Sequence, residues 1–199
     1  MKKLFIYGAS GHGKVVYELA KLNGYEVLGF IDDASPKYIL AYNSISFEHF
    51  IKTHKDCPVA LGIGVCDIRE KIYNKLKSHG LNIVTLIHPT TIMSSFSSVE
   101  EGSVVMAGAV INPDTKIGTG AIINTGTVVD HDCNVGNFAH IAPNSSVAGN
   151  VTIGDRSFIG IGSSIIQNIK ITSDVTVGAG SVVVKDLTEA KTYKGNPAK

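Results

Sequence analysis

The amino-acid sequence predicts an α/β domain with a short parallel sheet over residues 1–83, followed by a parallel β-helix over residues 84–199. Three observations predict this fold class. A six-residue repeat keeps one phase from Ile87 to Val183, and a small residue usually stands two positions before its aliphatic residue. The first third of the chain instead alternates strand-like and helix-like segments and carries a glycine-rich turn after its first strand.

The six-residue repeat predicts a stacked coil. Its aliphatic positions hold Ile87, Met93, Val99, Val105, Ile111, Ile117, Ile123, Val129, Val135, Ile141, Val147, Ile153, Ile159, Ile165, Ile171, Val177 and Val183. The small residues are Ala109, Thr115, Ala121, Thr127, Cys133, Ala139, Ser145, Ser157, Ser163 and Ser181. Alternate side chains of a strand share a face, so both sets point inward. Three repeats form one triangular coil of about 18 residues, and stacked coils bury a continuous core. A β-sandwich would not hold one phase over this length.

The first domain shows alternating elements. Strands are predicted at residues 4–7, 26–31, 59–63 and 81–86, and helices after Gly13, at residues 46–53 and at residues 67–78. The first helix presents an apolar face formed by Val15, Val16, Leu19, Ala20 and Leu22. Strands that alternate with helices favour a parallel, half-Rossmann-like sheet.

The glycine-rich turn covers residues 8–13 and reads Gly-Ala-Ser-Gly-His-Gly. Such a turn before a helix directs backbone N–H groups toward a phosphate, and Asp32 follows 19 residues after Gly13 at the end of the second strand. The order G-x-x-G-x-G differs from the dinucleotide fingerprint, and the domain is about half of a dinucleotide fold. One nucleotide diphosphate is therefore favoured over NAD, and a tight turn without a ligand is the remaining alternative.

Composition excludes several classes of partner. Lys and Arg number 18 against 17 Asp and Glu, with no basic stripe, which argues against nucleic acid and an anionic membrane surface. No apolar run reaches the roughly 20 residues of a membrane span, and no signal peptide is recognised, so we expect no membrane insertion. Cys57, Cys66 and Cys133 show neither a disulfide framework nor metal spacing, so we expect a cytoplasmic protein without a metal.

Several motifs carry a family resemblance that covers essentially the whole chain. They are the segment 6–13, the pair Asp32-Asp33, the segment 62–64, Asp130-His131-Asp132-Cys133, the segment 148–151 and the terminal Gly-Asn-Pro-Ala-Lys. Together they resemble bacterial sugar O/N-acyltransferases of the sialic acid O-acetyltransferase type, within the hexapeptide-repeat acyltransferase superfamily. The resemblance is closest to N-acetyltransferases that act on UDP-4-amino-4,6-dideoxy sugars. It implies a left-handed β-helix, acetyl-CoA as co-substrate, a nucleotide sugar held by the α/β domain, and a homotrimer.

The resemblance also implies roles for individual residues. His131 matches the catalytic base and Asp132 its acidic neighbour. Contacts with acetyl-CoA fall on His140, Ile161 and Ala179. Contacts with the nucleotide-sugar substrate fall on Ser10, Gly11, His12, Asp32, Asp33, Gly64 and Asn124.

The residues support this chemistry independently. Acetyl transfer needs a base for the proton of the acceptor and hydrogen-bond donors for the oxyanion, and histidine suits the first task. The repeat places His131 on a corner and turns His140 outward, so we expect neither in the core. The two lie half a coil apart, which favours an active site shared between two subunits of a trimer. Outward Val104, Val110, Ile122 and Val128 are expected to be exposed and to drive that assembly.

Other functions stay open at this point. The acceptor is either an amine or the hydroxyl of a sialic acid or another sugar. A non-catalytic nucleotide-binding scaffold is a further possibility. A purely structural solenoid would need regular threonine ladders on a flat face, and the threonines keep no constant outward phase.

Overall fold

The computed structural model describes residues 2–34 and 37–199. The chain divides into two compact units, Met1–Leu86 and Ile87–Lys199. Among the described residues, no helix combines the length and the apolar character needed to cross a bilayer.

The first unit is a small α/β domain. Its elements are β1 (Lys2–Tyr7), α1 (Gly11–Leu22), β2 (Tyr25–Ile31), β3 (Tyr38–Ile39), β4 (Tyr42–Asn43), α2 (Phe47–His54), β5 (Val59–Leu61) and α3 (Cys66–Ser78). The order β2-β1-β5 makes a three-stranded parallel sheet, while β3 and β4 pair as an antiparallel hairpin. Buried residues of β1 and β5 form the centre of the core. Helix α1 buries Val16, Leu19 and Ala20, but Val15 and Leu22 are exposed.

Two predictions for this unit are wrong in detail, and one element was not predicted. The strand predicted at residues 81–86 pairs with the sheet only by a single bridge between Ile83 and Val59, and its last residue, Leu86, instead begins the first strand of the β-helix. Helix α1 begins at Gly11, so the second half of the glycine-rich turn belongs to its first turn. The β3–β4 hairpin was not predicted; Leu40 and Ala41 both have positive φ there, without the usual glycine or asparagine.

The second unit is a parallel β-helix of about six turns, consistent with the left-handed form, whose two-residue strands build three faces. The first face holds Leu86–Ile87, Val104–Val105, Ile122–Ile123, His140–Ile141, Phe158–Ile159, Thr176–Val177 and Thr192–Tyr193. The second face holds Ile92–Met93, Val110–Ile111, Val128–Val129, Ser146–Val147, Ser164–Ile165 and Val182–Val183. The third face holds Ser98–Val99, Lys116–Ile117, Asn134–Val135, Thr152–Ile153 and Lys170–Ile171. Paired residues lie one coil apart, as Ile123 does from Ile141.

The core of the β-helix is a column of the predicted aliphatic and small residues. From Val105 onward the aliphatic positions are at most 3% exposed, while Ile87, Met93 and Val99 at the start are partly buried. Inward hydroxyls are satisfied within the column: Ser145 Oγ donates to the carbonyl of Gly160 at 2.9 Å, and Ser163 Oγ to that of Gly178 at 3.0 Å. Small polar residues therefore fit the interior without leaving a donor unpaired.

The corners explain why the period is six residues. From Val99 to Val177, the third residue after each aliphatic position has a positive φ, from Gly102 through Asp132 and Asn150 to Gly180. Glycine, asparagine and aspartate tolerate this conformation best, which accounts for their frequency in the repeat. Phe138 and Arg156 adopt it as well, so the stacked coils override local preference at those corners.

The outward apolar residues are only partly as predicted. Val104 and Ile122, on the first face, are 1% and 0% exposed in the single chain, so neither is available to a partner. Val110 and Val128, on the second face, are half-buried, and Ile92 beside them is 68% exposed. The second face therefore carries the accessible apolar surface, whereas the outward residues of the third face are polar and exposed.

Candidate active site

His131 lies on the corner between the second and third faces, here called the His131 edge. Its Nδ1 is 2.7 Å from Oδ2 of Asp132. Asp132 occupies the left-handed position of this corner, with φ of 59°. The imidazole is oriented by a carboxylate and is exposed, so the ring is accessible to a bound molecule.

A second carboxylate supports the same corner. Asp130 Oδ1 accepts hydrogen bonds from the backbone N–H of His131 at 2.8 Å and from Nδ2 of Asn112, one coil earlier, at 2.7 Å. These bonds, that of Asn112 first, lower the pKa of Asp130 and keep it ionised. The hydrogen bond with Asp132, and then the charge of Asp130, raise the pKa of His131. Asn112 was not among the predicted residues, although its spacing of 18 from Asp130 would have revealed it.

His140 occupies an outward position on the first face and lies outside the column, as predicted, but its side chain is only 8% exposed. The ring of Phe158, one coil further, contacts it edge-on with centroids 5.1 Å apart. Nδ2 of Asn124 lies 3.0 Å from its Nε2, while the amide oxygen of Asn124 accepts from the N–H of Thr125 at 2.8 Å. This orientation makes Asn124 the donor, which leaves the proton of a neutral His140 on Nδ1.

Ile161 and Ala179 stand one coil apart on the corner between the first and second faces, here called the Ile161 edge. The N–H of Gly180 donates to the carbonyl of Ile161 at 2.8 Å, which fixes the stacking, and Ile161 is 52% exposed. Within one chain the second face separates this edge from the His131 edge. The structure therefore does not bring His131 together with His140, Ile161 and Ala179 in the single chain.

The α/β unit contains two neighbouring cavities beside the glycine-rich turn. One, of about 340 Å³, is lined by Ser10, Asp32, Asp33 and Gly64 among others, with apolar walls from α3 and the residues before it. The other, of about 330 Å³, is lined by residues that include Gly11 and two lysines, Lys14 and Lys37. Ser10 and Lys37 line both.

Both aspartates at the end of β2 are held by several donors. Asp32 accepts from the N–H groups of Ala9 and Ala34 and pairs with Lys37 at 3.0 Å. Asp33 accepts from the Tyr7 hydroxyl at 2.6 Å, from Lys75 at 2.8 Å and from the N–H of Phe47 at 2.7 Å. Burial acts to raise the pKa of Asp33, but the hydrogen bonds from Lys75 and Tyr7 prevail and lower it.

Sequence reasoning missed Tyr7, Lys37 and Lys75, whose partners in these bonds are other side chains of the fold. Tyr7 lies 26 residues from Asp33 and Lys75 lies 42 residues from it. No local pattern marks such pairs.

His12 and the glycines have distinct environments. Burial, and then the guanidinium of Arg69, lower the pKa of His12 to about 4, so its imidazole is neutral at pH 7. A Cβ on Gly13 would overlap the carbonyl oxygen of Gly8, so this glycine allows α1 to approach the sheet. A Cβ on Gly11 would meet no protein atom within 4 Å. The side chain of Ser10 makes no capping bond, and no acidic residue occupies the first turn of α1.

Comparisons with known proteins match each of the two units to a protein family. The family described as the PglD N-terminal domain matches residues 3–76, and the bacterial transferase hexapeptide family matches residues 96–131. The acetyltransferase domain of PglB from Neisseria gonorrhoeae FA1090 is 37% identical, with a TM-score of 0.93 over 100% of this chain and 99% of that one. The chain belongs to the hexapeptide-repeat sugar N-acetyltransferases. 

Two further solved structures extend the comparison. PerB from Caulobacter crescentus, solved with CoA and GDP-perosamine, is 38% identical, with a TM-score of 0.94 over 100% of this chain and 97% of PerB. WeeI from Acinetobacter baumannii AYE is 29% identical, with a TM-score of 0.90 over 100% and 99% of the two chains. The PglB domain has also been solved in complex with acetyl coenzyme A.

Proposed function

We propose that this protein transfers the acetyl group of acetyl-CoA to the amino group of a nucleotide-linked amino-deoxy sugar, with His131 as general base. The observation that carries the proposal is the exposed imidazole whose Nδ1 is fixed by Asp132, in a chain so similar to enzymes of this kind. The sugar would serve the synthesis of a surface glycan or glycoprotein. The enzyme would act in the cytoplasm, where reducing conditions suit the free Cys57, Cys66 and Cys133.

The reaction follows from the orientation of the imidazole. Neutral His131 donates its Nδ1 proton to Asp132 and offers the Nε2 lone pair to the acceptor. The amine nitrogen attacks the thioester carbon, a C–N bond forms, and Nε2 removes the proton of the amine. The tetrahedral intermediate then expels the CoA thiolate as the C–S bond breaks. The thiolate takes a proton from solvent, and the imidazolium of His131 releases its proton to solvent. His140 and Asn124 would contact the acetyl group, where hydrogen-bond donors stabilise the developing oxyanion.

The positions of the two edges favour a homotrimer with active sites between subunits. Acetyl-CoA would lie along the Ile161 edge, against Ile161 and Ala179, with its thioester near His140. The base stands on the other border of the second face. A cyclic arrangement in which the His131 edge of one subunit meets the Ile161 edge of its neighbour would complete each site. The half-buried Val110 and Val128 and the exposed Ile92 would supply apolar contact area.

The nucleotide sugar would bind in the two cavities of the α/β unit. The N-terminus of α1 offers N–H groups at Gly11, with the space above it open, for a diphosphate. Ser10, Asp32, Asp33 and Gly64 would contact the nucleoside in the adjoining cavity. His12 lines neither cavity and would act through the glycine-rich turn to which it belongs. We expect a UDP-linked 4-amino-4,6-dideoxy sugar, and GDP is the alternative that the PerB complex suggests.

A thiol-release assay tests the function. Acetyl-CoA is offered with UDP-, GDP-, dTDP- and CMP-linked amino sugars and with their hydroxyl counterparts, and product mass identifies the acceptor. Release of CoA with one nucleotide amino sugar, together with an amide product, is expected. An ester product on a sialic acid or another sugar would assign an O-acetyltransferase. Nucleotide binding without CoA release from any acceptor would assign a non-catalytic scaffold. Sedimentation of the full chain as a monomer would contradict the shared site.

A further inference from the structure

Gly149 stands one coil beyond His131, directly against the imidazole. A Cβ built on Gly149 would lie 2.5 Å from Cε1 of His131, 2.6 Å from Nε2 and 3.1 Å from Nδ1. Real Cβ atoms do not approach other atoms so closely, so either the ring or the backbone would have to shift. The backbone is fixed, because the N–H of Asn150 donates to the carbonyl of His131 at 2.9 Å and holds the two coils in register. The ring is the group that would move.

The corner itself does not require a glycine at this position. The equivalent positions of the neighbouring coils hold Ser95, Pro113, His131 and Gln167. The left-handed residue of this coil is Asn150, with φ of 58°, whereas Gly149 does not adopt a positive φ. Neither backbone conformation nor the repeat explains the glycine. The imidazole one coil away does.

We propose that Gly149 is a positioning residue for His131, an inference that rests on His131 being the base of the proposed function. Because Gly149 has no side chain, the Cε1–Nε2 side of the ring packs against the next coil while Nδ1 faces Asp132. It also keeps space beside Nε2 open, where the amino group of the acceptor must arrive to lose its proton. Asn112 and Asp130 fix the same corner from the preceding coil, so the base is held from both sides along the β-helix.

The variant Gly149→Ala tests this role by activity. A displaced base should lower kcat by roughly 10- to 100-fold, because a misplacement of about 1 Å can cost that much. The KM for acetyl-CoA should not change. Loss of the contact with Asp132 should also move the ascending limb of the pH profile of kcat/KM to lower pH, since that contact raises the pKa of His131. The matched control is Gln167→Ala, at the same position one coil further, which should behave as wild type. Unchanged turnover and an unchanged pH limb in Gly149→Ala would overturn the proposal.

Two measurements decide the inference without activity. Titration of the His131 imidazole by NMR should give a lower pKa in Gly149→Ala than in wild type, and equal values would contradict the proposal. If Gly149→Ala is too unstable for titration, the double variant His131→Ala/Gly149→Ala should recover a higher Tm, because the ring that met the added methyl group is gone. A double variant as unstable as the single one would place the clash elsewhere. A wild-type protein without acetyl transfer would refute the proposed function, while the titration would still decide the role of Gly149.

Discussion

The corner that carries His131 and the loop that carries Asp32 and Asp33 place candidate functional groups in different ways. In the β-helix the supporting atoms come from the same corner or from the coils before and after it, such as Asn112 and Gly149. In the α/β unit the aspartates are held by side chains distant in sequence, such as Tyr7 and Lys75. In the β-helix, each residue contacts residues 18 positions before and after it in the sequence. Substitutions along the β-helix should therefore have local and separable effects. Changes around Asp33 should spread through a shared network.

The largest expected effect comes from breaking the column. Ile123→Asp places an unpaired carboxylate at a position that is 0% exposed between two coils. It should lower the free energy of unfolding by several kcal/mol, roughly 3–5, because a buried charge without a partner loses its hydration. Thermal denaturation measures the loss. Thr152→Asp, at an exposed outward position of the third face, is the control and should leave Tm nearly unchanged. Equal melting of Ile123→Asp and wild type would show that the column does not carry the stability of this unit.

Removal of the base should leave the fold intact and affect turnover. His131→Ala should lower kcat by about 10²–10⁴-fold, the usual range for loss of a general base. The KM for acetyl-CoA should stay constant, since the imidazole meets the acceptor. Steady-state kinetics with the nucleotide amino sugar measures both constants, and His79→Ala, on the α/β unit, is the control. Turnover close to wild type would require another group to be the base.

The nucleotide cavity should be separable from the acetyl-CoA site. Gly11→Val adds a side chain where the protein itself leaves open space, so the fold should be unaffected while a diphosphate would be blocked. Calorimetry should record loss of nucleotide-sugar binding and retention of acetyl-CoA binding. Loss of both ligands, or of neither, would contradict a division of binding between the two units.

The smallest effect is expected from the carboxylate beside the base. Asp132→Asn should reduce kcat less than His131→Ala does, because the imidazole remains while its orientation and basicity weaken. The pKa of His131 is raised in the folded protein, chiefly by Asp132, so the wild-type ascending limb of kcat/KM should lie above about pH 6.5. In Asp132→Asn that limb should move to lower pH. The His131→Ala variant identifies any limb that belongs to the amine of the substrate. A limb that does not move would show that the hydrogen bond does not control the titration.

The raised pKa of His131 also makes the free energy of unfolding depend on pH in a defined direction. Because His131 binds its proton more tightly in the folded state, its contribution is present below the unfolded pKa of about 6.5 and is lost as pH rises through the raised folded value. Denaturation of wild type and Asp132→Asn on both sides of this range compares the contribution directly. The ring is exposed, so we expect a small difference.

The β-helix was predictable because its information is local and repeated. The aliphatic positions of the repeat became the column, and the residue three positions later became the left-handed corner. The burial of His140 was not predictable from alternation, because it depends on Phe158 in the next coil. The contact between Gly149 and His131 was also not predictable from the sequence. Many positions of the repeat hold glycine, and only the structure shows that the imidazole packs against this one.

The sequence by itself determined the division into an α/β unit and a β-helix, the phase of the column, and the placement of His131 on a corner and of the aspartates at the end of β2. Periodicity and glycine-rich turns reflect the local backbone conformation, which is determined by residues close together in the sequence. Only the tertiary structure decided that residues 81–86 do not form a fourth strand of the α/β sheet, that Lys75 and Tyr7 hold Asp33, and that the second face separates His131 from the Ile161 edge. These features depend on contacts between residues far apart in the chain, whose distances no local pattern contains.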